Sequence, residues 1–278
     1  MNMYNVAYLQ PPSLKAMMPI SGDVDSYRDY IYSNGGLFNP FNFIAKKCCG
    51  EWQGVDWLSI AKENPFYDPD VYGPTGSICI SPDVSKITVP LWDVMGLDYP
   101  GIHTRGASEA FIHSASQHKK LMILSESGIH FWIFAPEYLT QHMAFFDYWL
   151  KGIDNGIMTE PPVKMMIRTG WGGYYWQDEQ EWPLARTEYT KYYLNTAPSA
   201  MKMGRTLPVE EMSSSYAADA QTGIFLLTDP MVEDTVISGY IKLVIWVSST
   251  SHDMAISASM RVLDENNMEV PYAVDVRP

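Results

Sequence analysis

Asp98 and His130 are the residues of this 278-residue chain whose types and positions most directly suggest chemistry. Each follows an apolar run that is typical of a buried strand, and a helical pattern separates the two runs. Open α/β sheets carry their functional groups in the loops at the carboxyl ends of the strands. An aspartate there can orient an imidazole, which then serves as a general base toward a nucleophile or a water molecule.

The elements that must position these two residues follow the order strand, helix, strand. Ile87–Met95 and Lys120–Leu124 are short apolar runs, which we interpret as buried parallel strands. Between them, Thr104–His118 has apolar residues at helical spacing. Upstream, the apolar run Leu14–Ser21 predicts a further parallel strand, and downstream Pro136–Leu150 predicts the clearest helix of the chain. The first part of the chain is therefore predicted to be an α/β domain.

A segment of irregular pattern, residues 22–84, separates the first predicted strand from the second. It contains a short helical pattern with an aspartate cap at 25–36 and a second helical pattern at 39–52, whereas residues 64–77 are typical of a loop. A connection of about 60 residues is far longer than neighbouring strands need, and insertions of this size are usually functional. We therefore expect a helical lid here.

From residue 161 onward the pattern changes to short runs rich in β-branched and aromatic residues, separated by turn residues. These runs are 162–171, 187–195, 223–228, 235–249, 254–264 and 269–276, with a strong turn signal at 264–267. Such a pattern predicts an antiparallel β-sandwich. We therefore expect an α/β domain at 1–160 and a carboxyl-terminal sandwich at 161–278.

The composition argues against several classes of partner. With 32 acidic against 19 basic residues the formal net charge is -13, so we expect neither a nucleic acid nor an anionic membrane as a partner. The three cysteines and the acidic clusters lack metal-ligand spacing, and we expect no metal ion and no cofactor. The amino terminus has no basic segment followed by a long apolar run, so we expect no signal peptide and favour the cytoplasm.

An aspartate followed by a histidine is the order of the last two members of the Ser, Asp and His triad in α/β-hydrolases. The serine of that triad lies on a G-x-S-x-G turn, and no such string occurs in the chain. The nearest string, GASEA at Gly106–Ala110, lies inside a predicted helix. The chain therefore offers an acid and a base without a recognisable nucleophile.

Four blocks of the sequence resemble the CocE/NonD hydrolase family, which includes cocaine esterase, α-amino-acid ester hydrolases and X-Pro dipeptidyl-peptidase-like acyl esterases. They are LQPP and LKA near the amino terminus with YRD in the lid, SKITVP before the acid strand with HTRG after it, FFDYWLKGIDNG before the sandwich, and WPLARTEYTKYYL within it. The last block is the most specific. The chain is identified as a member of the family because the blocks together cover nearly its whole length.

The resemblance implies the carboxyl-terminal half of an α/β-hydrolase domain with a helical lid, followed by a jelly-roll-like β-sandwich that is itself incomplete. It implies acyl transfer through a serine, a histidine base and an aspartate, with the serine's turn upstream of Met1 or absent. Asp98 matches the acid position, with Asp93 as the alternative. For the base, a gapless match points to Ser125, and a shift of a few residues brings in His130.

Two functions are compatible with these features. The first is a serine hydrolase acting on a small ester or peptide-like substrate, in which Asp98 orients His130 toward a serine that this sequence does not contain. The second is a catalytically inactive chain, either truncated or a pseudo-enzyme, whose lid and sandwich act as a binding or structural module.

The chain expressed by itself is predicted to be poorly soluble or oligomeric. The predicted parallel strands leave an apolar sheet edge where the family has further strands, and an exposed edge pairs readily with another chain. Gel filtration with light scattering measures this association. A monodisperse monomer that melts cooperatively would contradict the expectation.

Overall fold

The structure is a computed structural model, and it describes residues 2–33, 36–37, 56–77, 81–97, 104–125, 136–170, 173–197, 201–217, 223–252, 254 and 256–270. The chain divides into two compact units. The larger unit comprises residues 1–182 together with 245–278 and contains the main sheet, and the smaller unit comprises residues 183–244.

A four-stranded sheet forms the centre of the larger unit. Its strands lie in the order of the chain, and they are β1 (Leu91–Gly96), β2 (Lys119–Leu124), β3 (Val163–Arg168) and β4 (Tyr174–Glu179). β1, β2 and β3 pair in parallel, and β4 pairs antiparallel with β3. The parallel strands predicted at Ile87–Met95 and Lys120–Leu124 are therefore confirmed.

Residues 17–21, which we call the edge segment, run parallel to β1 on the side away from β2. The Ser21 N–H donates to the Val94 carbonyl at 2.9 Å, and the Val94 N–H donates to the Pro19 carbonyl at 2.9 Å. This alternation of donors is the pattern of a parallel ladder. The predicted strand Leu14–Ser21 is confirmed in its second half.

Helices flank the sheet. The described α-helices are α1 (Asn2–Ala7), α2 (Trp57–Glu63), α3 (Pro69–Tyr72), α4 (Arg105–His113) and α5 (Pro136–Lys151), with a π-helix at Ser26–Ile31 and a 3-10 turn at Val84–Lys86. α4 and α5 confirm two predicted helices. α4 ends earlier than the predicted His118 because Ser114 already has extended backbone angles.

The strands β1 and β2 are buried on both faces of the sheet. Trp92 of β1 packs with Phe145 of α5 in one apolar cluster. Leu91, its neighbour in the strand, points to the other face and packs with Tyr4 of α1 and Ala110 of α4. Burial on both faces explains why these strands are continuous apolar runs in the sequence rather than alternating ones.

The segment at residues 22–84, which we call the lid segment because it is predicted to be a lid, begins as predicted. The Asp25 carboxylate accepts a hydrogen bond from the Arg28 N–H at 3.0 Å at the start of the π-helix, which confirms a short helix with an aspartate cap. Ile31 of this helix and Tyr32, which follows it, pack with Ala61 of α2 and Tyr72 of α3 in a separate small core. The first lid helix is therefore held by tertiary contacts within the lid.

Two lid helices correct the sequence-based expectations. α2 is not among the predicted elements, and α3 lies inside 64–77, which is predicted to be a loop. Asp56 and Asp68 cap these helices through their side chains, so the aspartates were the available signal. The helix predicted at 39–52 lies outside the described residues.

The strand β3 is a further correction. Its run is predicted to lie in the sandwich, yet β3 pairs in parallel with β2, and the Leu121 N–H donates to the Pro162 carbonyl at 2.8 Å. Val163 and Met165 are buried in this sheet. A short apolar run without clear alternation fits either kind of sheet, so only pairing decides its place. The division of the chain into domains near residue 160 stays a prediction.

Beyond β4 the described strands are short. β5 (Tyr193–Asn195) pairs with β6 (Lys202–Gly204) in the smaller unit, and β7 (Val262–Leu263) pairs with β8 (Glu269–Val270) in the larger unit. The turn predicted at 264–267 is confirmed, because the Asp264 carboxylate accepts bonds from the N–H groups of Asn266 and Met268. The strand predicted at 235–249 is not formed, and Trp246 within it is 90% exposed. β-branched residues form a strand only where a partner supplies ladder bonds.

Gly106→Ala is predicted to destabilise the chain, although alanine in a helix is ordinarily better than glycine by about 1 kcal/mol. A Cβ at Gly106 would lie 2.4 Å from the Gly22 carbonyl oxygen and 2.5 Å from the Asp23 Cα, which are backbone atoms. Overpacking of this kind costs about 1–3 kcal/mol, so the variant should melt at a lower temperature than the wild type.

Gly204→Ala is the matched control, because a Cβ there meets nothing within 4 Å. It should leave the Tm nearly unchanged. A Gly106→Ala variant that melts at or above the wild-type Tm would show that the lid backbone can retreat from α4.

Candidate active site

β1 and β2 end side by side at the carboxyl edge of the sheet. Gly96 lies opposite Leu124 in the register, and the Leu97 N–H donates to the Leu124 carbonyl at 2.9 Å. Asp98 follows Gly96 by two positions and His130 follows Leu124 by six, and both lie outside the described residues. The structure thus brings together the two strand ends from which the loops with the predicted acid and base depart.

Thr104, the next described residue after Leu97, also contacts this strand end. Thr104, the residue before α4, donates from its hydroxyl to the Gly96 carbonyl at 2.9 Å. Leu97 and Thr104 lie on either side of positions 98–103. Leu97 is bound to Leu124 at the end of β2, and Thr104 is bound to Gly96 at the end of β1. The described residues on both sides of positions 98–103 are therefore bound to the ends of β1 and β2.

Ser125, the residue at the base position in a gapless match, is buried with 3% exposure. Its hydroxyl donates to the Met166 carbonyl of β3 at 3.0 Å. A serine hydroxyl that is bound to the backbone inside a sheet cannot act as a general base, because it has no basic lone pair near neutral pH. His130 therefore stays the predicted base.

Ser21 has a strained conformation that sequence reasoning missed. It ends the edge segment with a φ of 53°, in the left-handed region that few residues other than glycine and asparagine adopt. A nucleophile turn is also strained, but there a helix follows the strand directly and the hydroxyl is exposed. Among the described residues the hydroxyl of Ser21 is buried without a hydrogen-bond partner, and the next helix begins only at Ser26. Ser21 is therefore not the missing nucleophile.

Asp93, the alternative acid, lies in the middle of β1 and is fully buried. Its Oδ1 accepts a hydrogen bond from the Tyr4 hydroxyl of α1 at 2.5 Å. Its Oδ2 has no hydrogen-bond partner among the described residues. Burial raises the pKa of Asp93 well above its ordinary value, although the bond from Tyr4 and the charge of Lys119 oppose the shift. The position inside the core, three residues before the strand end at Gly96, is that of a structural carboxyl group.

Tyr4 is the partner that α1 supplies to this carboxyl group. Burial, and then the negative charge of Asp93, raise the pKa of Tyr4 well above its ordinary value, so its hydroxyl stays a donor. Gly22 makes room for the ring, because a Cβ there would lie 2.3 Å from the Tyr4 Cε2. The hydrogen bond between Tyr4 and Asp93, with the space left by Gly22, thus holds α1 against the sheet.

Asp29, which is buried, forms an ion pair with the partly exposed Arg105. Arg105 Nη1 donates to Asp29 Oδ1 at 2.6 Å, and the Asp29 side chain is 1% exposed. Asp29 belongs to the π-helix of the lid, and Arg105 is the first residue of α4. The sequence signals were the YRD and HTRG strings, in which these two residues stand, but nothing in the sequence pairs them.

The pKa values of this pair reflect burial and mutual attraction. Burial raises the pKa of Asp29, although Arg105 and the N–H groups of Val24 and Asp25 oppose the shift. Burial works to lower the pKa of Arg105, but the carboxylates of Asp29, Glu109 and Asp25 together raise that pKa. The positive charge of Arg105 and three hydrogen bonds to the Asp29 carboxyl group favour its ionised form. We therefore describe Asp29 and Arg105 as an ion pair near neutral pH.

A cavity of about 160 Å³ lies near the beginning of β2, at the opposite end of the strand from the predicted acid and base. Lys120 lines it and is 4% exposed. Its Nζ donates to the carbonyls of Ile157, Glu160 and Pro161 at 2.9, 3.4 and 3.3 Å. Burial lowers the pKa of Lys120. Since its three donors are used, Lys120 serves to anchor the connection from α5 to β3.

No group of three or more His, Cys, Asp or Glu side chains among the described residues could hold a metal ion. His113 of α4 lies 3.3 Å from the Glu109 carboxylate, and the His118 ring lies 4.8 Å from the Trp149 ring. These histidines have surface and packing contacts of their own. Within the described part of the chain, no helix has the length and apolar character needed to cross a bilayer.

The comparisons with known proteins agree with this architecture. Residues 155–271 match a family model described as the X-Pro dipeptidyl-peptidase C-terminal non-catalytic domain. The chain is similar to cocaine esterase of Rhodococcus sp. (strain MB1 Bresler), at 32% identity over 89 residues, which cover 30% of this chain and 15% of the esterase. It is also similar to the "Putative Xaa-Pro dipeptidyl-peptidase" of Bacillus anthracis, at 20% identity over 284 residues, which cover 92% of this chain and 43% of that protein.

Solved structures extend the likeness to the fold. A crystal structure of a CocE/NonD family hydrolase from Staphylococcus aureus superposes with a TM-score of 0.65 at 27% identity, over 73% of this chain and 36% of that one. A second structure of this hydrolase gives a TM-score of 0.64 at the same identity and coverage. The chain thus spans less than half the length of each of these relatives.

The mixed sheet between helices, shared with these solved hydrolase structures, defines an α/β protein. The sequence matches on both sides of residue 155 narrow this class further. The chain resembles the CocE/NonD hydrolases and their X-Pro dipeptidyl-peptidase relatives.

Asp93→Asn is predicted to stabilise the chain more at pH 8 than at pH 4. The folded chain holds the Asp93 proton more tightly than the unfolded chain, so this group's contribution to stability falls as pH rises from about 4 toward the raised pKa. An asparagine keeps the oxygen that accepts from Tyr4 and has no charge to bury. Thermal melts of variant and wild type at both pH values measure the difference in Tm.

Tyr4→Phe is the paired variant, and it should destabilise the chain by about 1–3 kcal/mol because the Asp93 carboxyl group loses its hydrogen bond inside the core. The loss should be greater at pH 8 than at pH 4. An Asp93→Asn variant with the same Tm difference from wild type at both pH values would show that Asp93 does not titrate with a raised pKa.

Proposed function

We propose that this chain supplies the acid and the base of a serine-hydrolase site that cleaves ester or amide bonds. The observation that carries the proposal is the pairing of Gly96 with Leu124 at the carboxyl edge of the sheet. The loops that contain Asp98 and His130 depart from these adjacent strand ends, which is where α/β proteins collect functional groups. The names of the relatives, an esterase and a dipeptidyl-peptidase, support acyl transfer.

In the proposed reaction, Asp98 accepts a hydrogen bond from the His130 ring and fixes its tautomer. His130 takes the proton from a serine hydroxyl as the oxygen attacks the substrate carbonyl, and it then gives this proton to the departing alcohol or amine. Water, deprotonated by the same histidine, hydrolyses the acyl-enzyme. No G-x-S-x-G string occurs in these 278 residues, so we propose that polypeptide outside them contributes the serine.

We place the selection of the acyl group in the lid. The tyrosines at 27, 32, 67 and 72 pack against one another there, with ring centroids 5.0–6.4 Å apart. Phe66 beside them is 81% exposed, and Tyr67 is 41% exposed. Exposed aromatic rings on a self-supporting lid suit a small ester or peptide-like substrate with an apolar group.

Association through the sheet edge is part of the proposal. Among the described residues, the edge segment pairs with β1 on one side, and its other side is available to a further strand. Pairing there with the remainder of a hydrolase sheet, or with a second chain, would satisfy its backbone groups.

Asp98→Asn, made in the longest open reading frame that contains this chain, is predicted to lower kcat for a short-chain aryl ester by about 10⁴-fold, because a neutral amide leaves the histidine in the wrong tautomer. Steady-state hydrolysis measures the effect. Asp154→Asn, which changes an exposed aspartate outside the site, is the control and should keep wild-type kcat. Undiminished turnover by Asp98→Asn would sink the assignment of the acid.

The second candidate function is a binding or structural module without catalysis. The observation that favours it is the match of residues 155–271 to a domain described as non-catalytic. Two results separate the candidates. An in-frame G-x-S-x-G upstream of Met1 with ester turnover by the encoded protein supports the hydrolase, whereas a reading frame that starts at Met1 and shows no turnover supports the module.

A further inference from the structure

The contact between Asp29 and Arg105 joins the lid to the helix that follows the Asp98 loop. Asp29 Oδ2 accepts hydrogen bonds from the N–H groups of Val24 and Asp25 at 3.0 and 2.9 Å, and Oδ1 accepts from Arg105 at 2.6 Å. The carboxylate is thus satisfied on both oxygens inside the protein. Its two backbone bonds fix the turn that leads into the lid, so Arg105 is attached to an ordered segment.

Gly106 brings the backbones on the two sides of this contact together. A Cβ at that position would meet the Gly22 carbonyl oxygen at 2.4 Å and Asp29 Oδ2 at 3.0 Å, so only glycine permits the approach. The first turn of α4 therefore lies directly against the turn at residues 22–25. The geometry of this contact is set by backbone atoms as well as by the ion pair.

The same turn of α4 is tied to the strand end below the proposed acid. Thr104 donates to the Gly96 carbonyl at 2.9 Å, and Arg105 follows it directly. A shift of Arg105 must therefore move Thr104, whose hydroxyl is bound to the end of β1. Asp29 is buried and Arg105 is 40% exposed, so the pair brings a charged carboxylate out of water, and we explain its presence by the arrangement of backbone that it imposes.

We propose that Asp29 and Arg105 are positioning residues, which hold the Asp98 loop in register with the lid so that the acid reaches the catalytic histidine. This inference rests on the proposed function. Neither side chain touches the substrate, and both act through Thr104 and the loop it anchors. The ion pair between Asp29 and Arg105 thus makes the position of Asp98 depend on the position of the lid segment.

Asp29→Asn is predicted to lower kcat by about 10- to 100-fold in the longest reading frame that contains this chain, with KM changed by less than about threefold, since small displacements of catalytic groups cost this much. The asparagine oxygen can still accept from the Val24 and Asp25 N–H groups, while its amide repels the Arg105 guanidinium. Arg105→Gln should give a similar loss, and the double variant should be no slower than the worse single variant.

Arg28→Gln is the matched control. Arg28 forms an ion pair with Asp25 in the same lid segment, with N and O atoms 2.5 Å apart, and its side chain is 54% exposed. This variant should keep wild-type kcat. Arg105→Lys, which keeps the charge, should recover part of the rate lost in Arg105→Gln.

The rates are compared per folded protein, with circular dichroism at the assay temperature. Losses that vanish on this normalisation, that add in the double variant, or that Arg28→Gln shares would overturn the positioning role. If Asp98→Asn is inactive while Asp29→Asn and Arg105→Gln turn over normally, this inference fails and the proposed function stands. If Asp98→Asn is fully active, the assignment of the acid fails, and the positioning role fails with it.

Discussion

Parallel pairing of β1 with a neighbour on each side is the constraint on which the larger unit depends. A strand buried on both faces can satisfy its backbone groups only through other strands. The edge segment and β2 provide those partners, and α1, α4 and α5 then cover the two faces. The register of this pairing places the carboxyl ends of β1 and β2 side by side. Backbone hydrogen bonding therefore forms the edge at which we place the chemistry.

Polar groups buried in this framework are arranged by position along the strands. At the beginning of β2, Lys120 binds three carbonyls and anchors the crossover to β3. In the middle of β1, Asp93 binds Tyr4 and fixes α1. Near the carboxyl end, Asp29 and Arg105 join the lid to α4. Burying an ionisable group costs free energy unless the group is paired. Each of these contacts therefore favours one arrangement of the elements that it joins.

The carboxyl-terminal part of the chain has a different character. It matches a non-catalytic domain over residues 155–271, and its described strands beyond β4 are only two or three residues long. Apolar side chains that suit a sheet are exposed there, including Trp246. The residues in this region favour strands, yet the strands that form are short. Propensity describes how well a residue fits a sheet, and a strand also needs a partner strand.

The sequence by itself determined the features that depend on short stretches: the strand, helix, strand order around Asp98, the Asp25 cap, the turn at 264–267, and the absence of a G-x-S-x-G string. Hydrophobic periodicity and capping side chains act within a few residues, so they can be read without the fold. Only the tertiary structure decided that β3 joins the main sheet, that Asp93 faces Tyr4, and that Asp29 meets Arg105 across 76 positions of sequence. Such contacts depend on which strand lies beside which and on backbone approach at Gly106, and no local pattern encodes them.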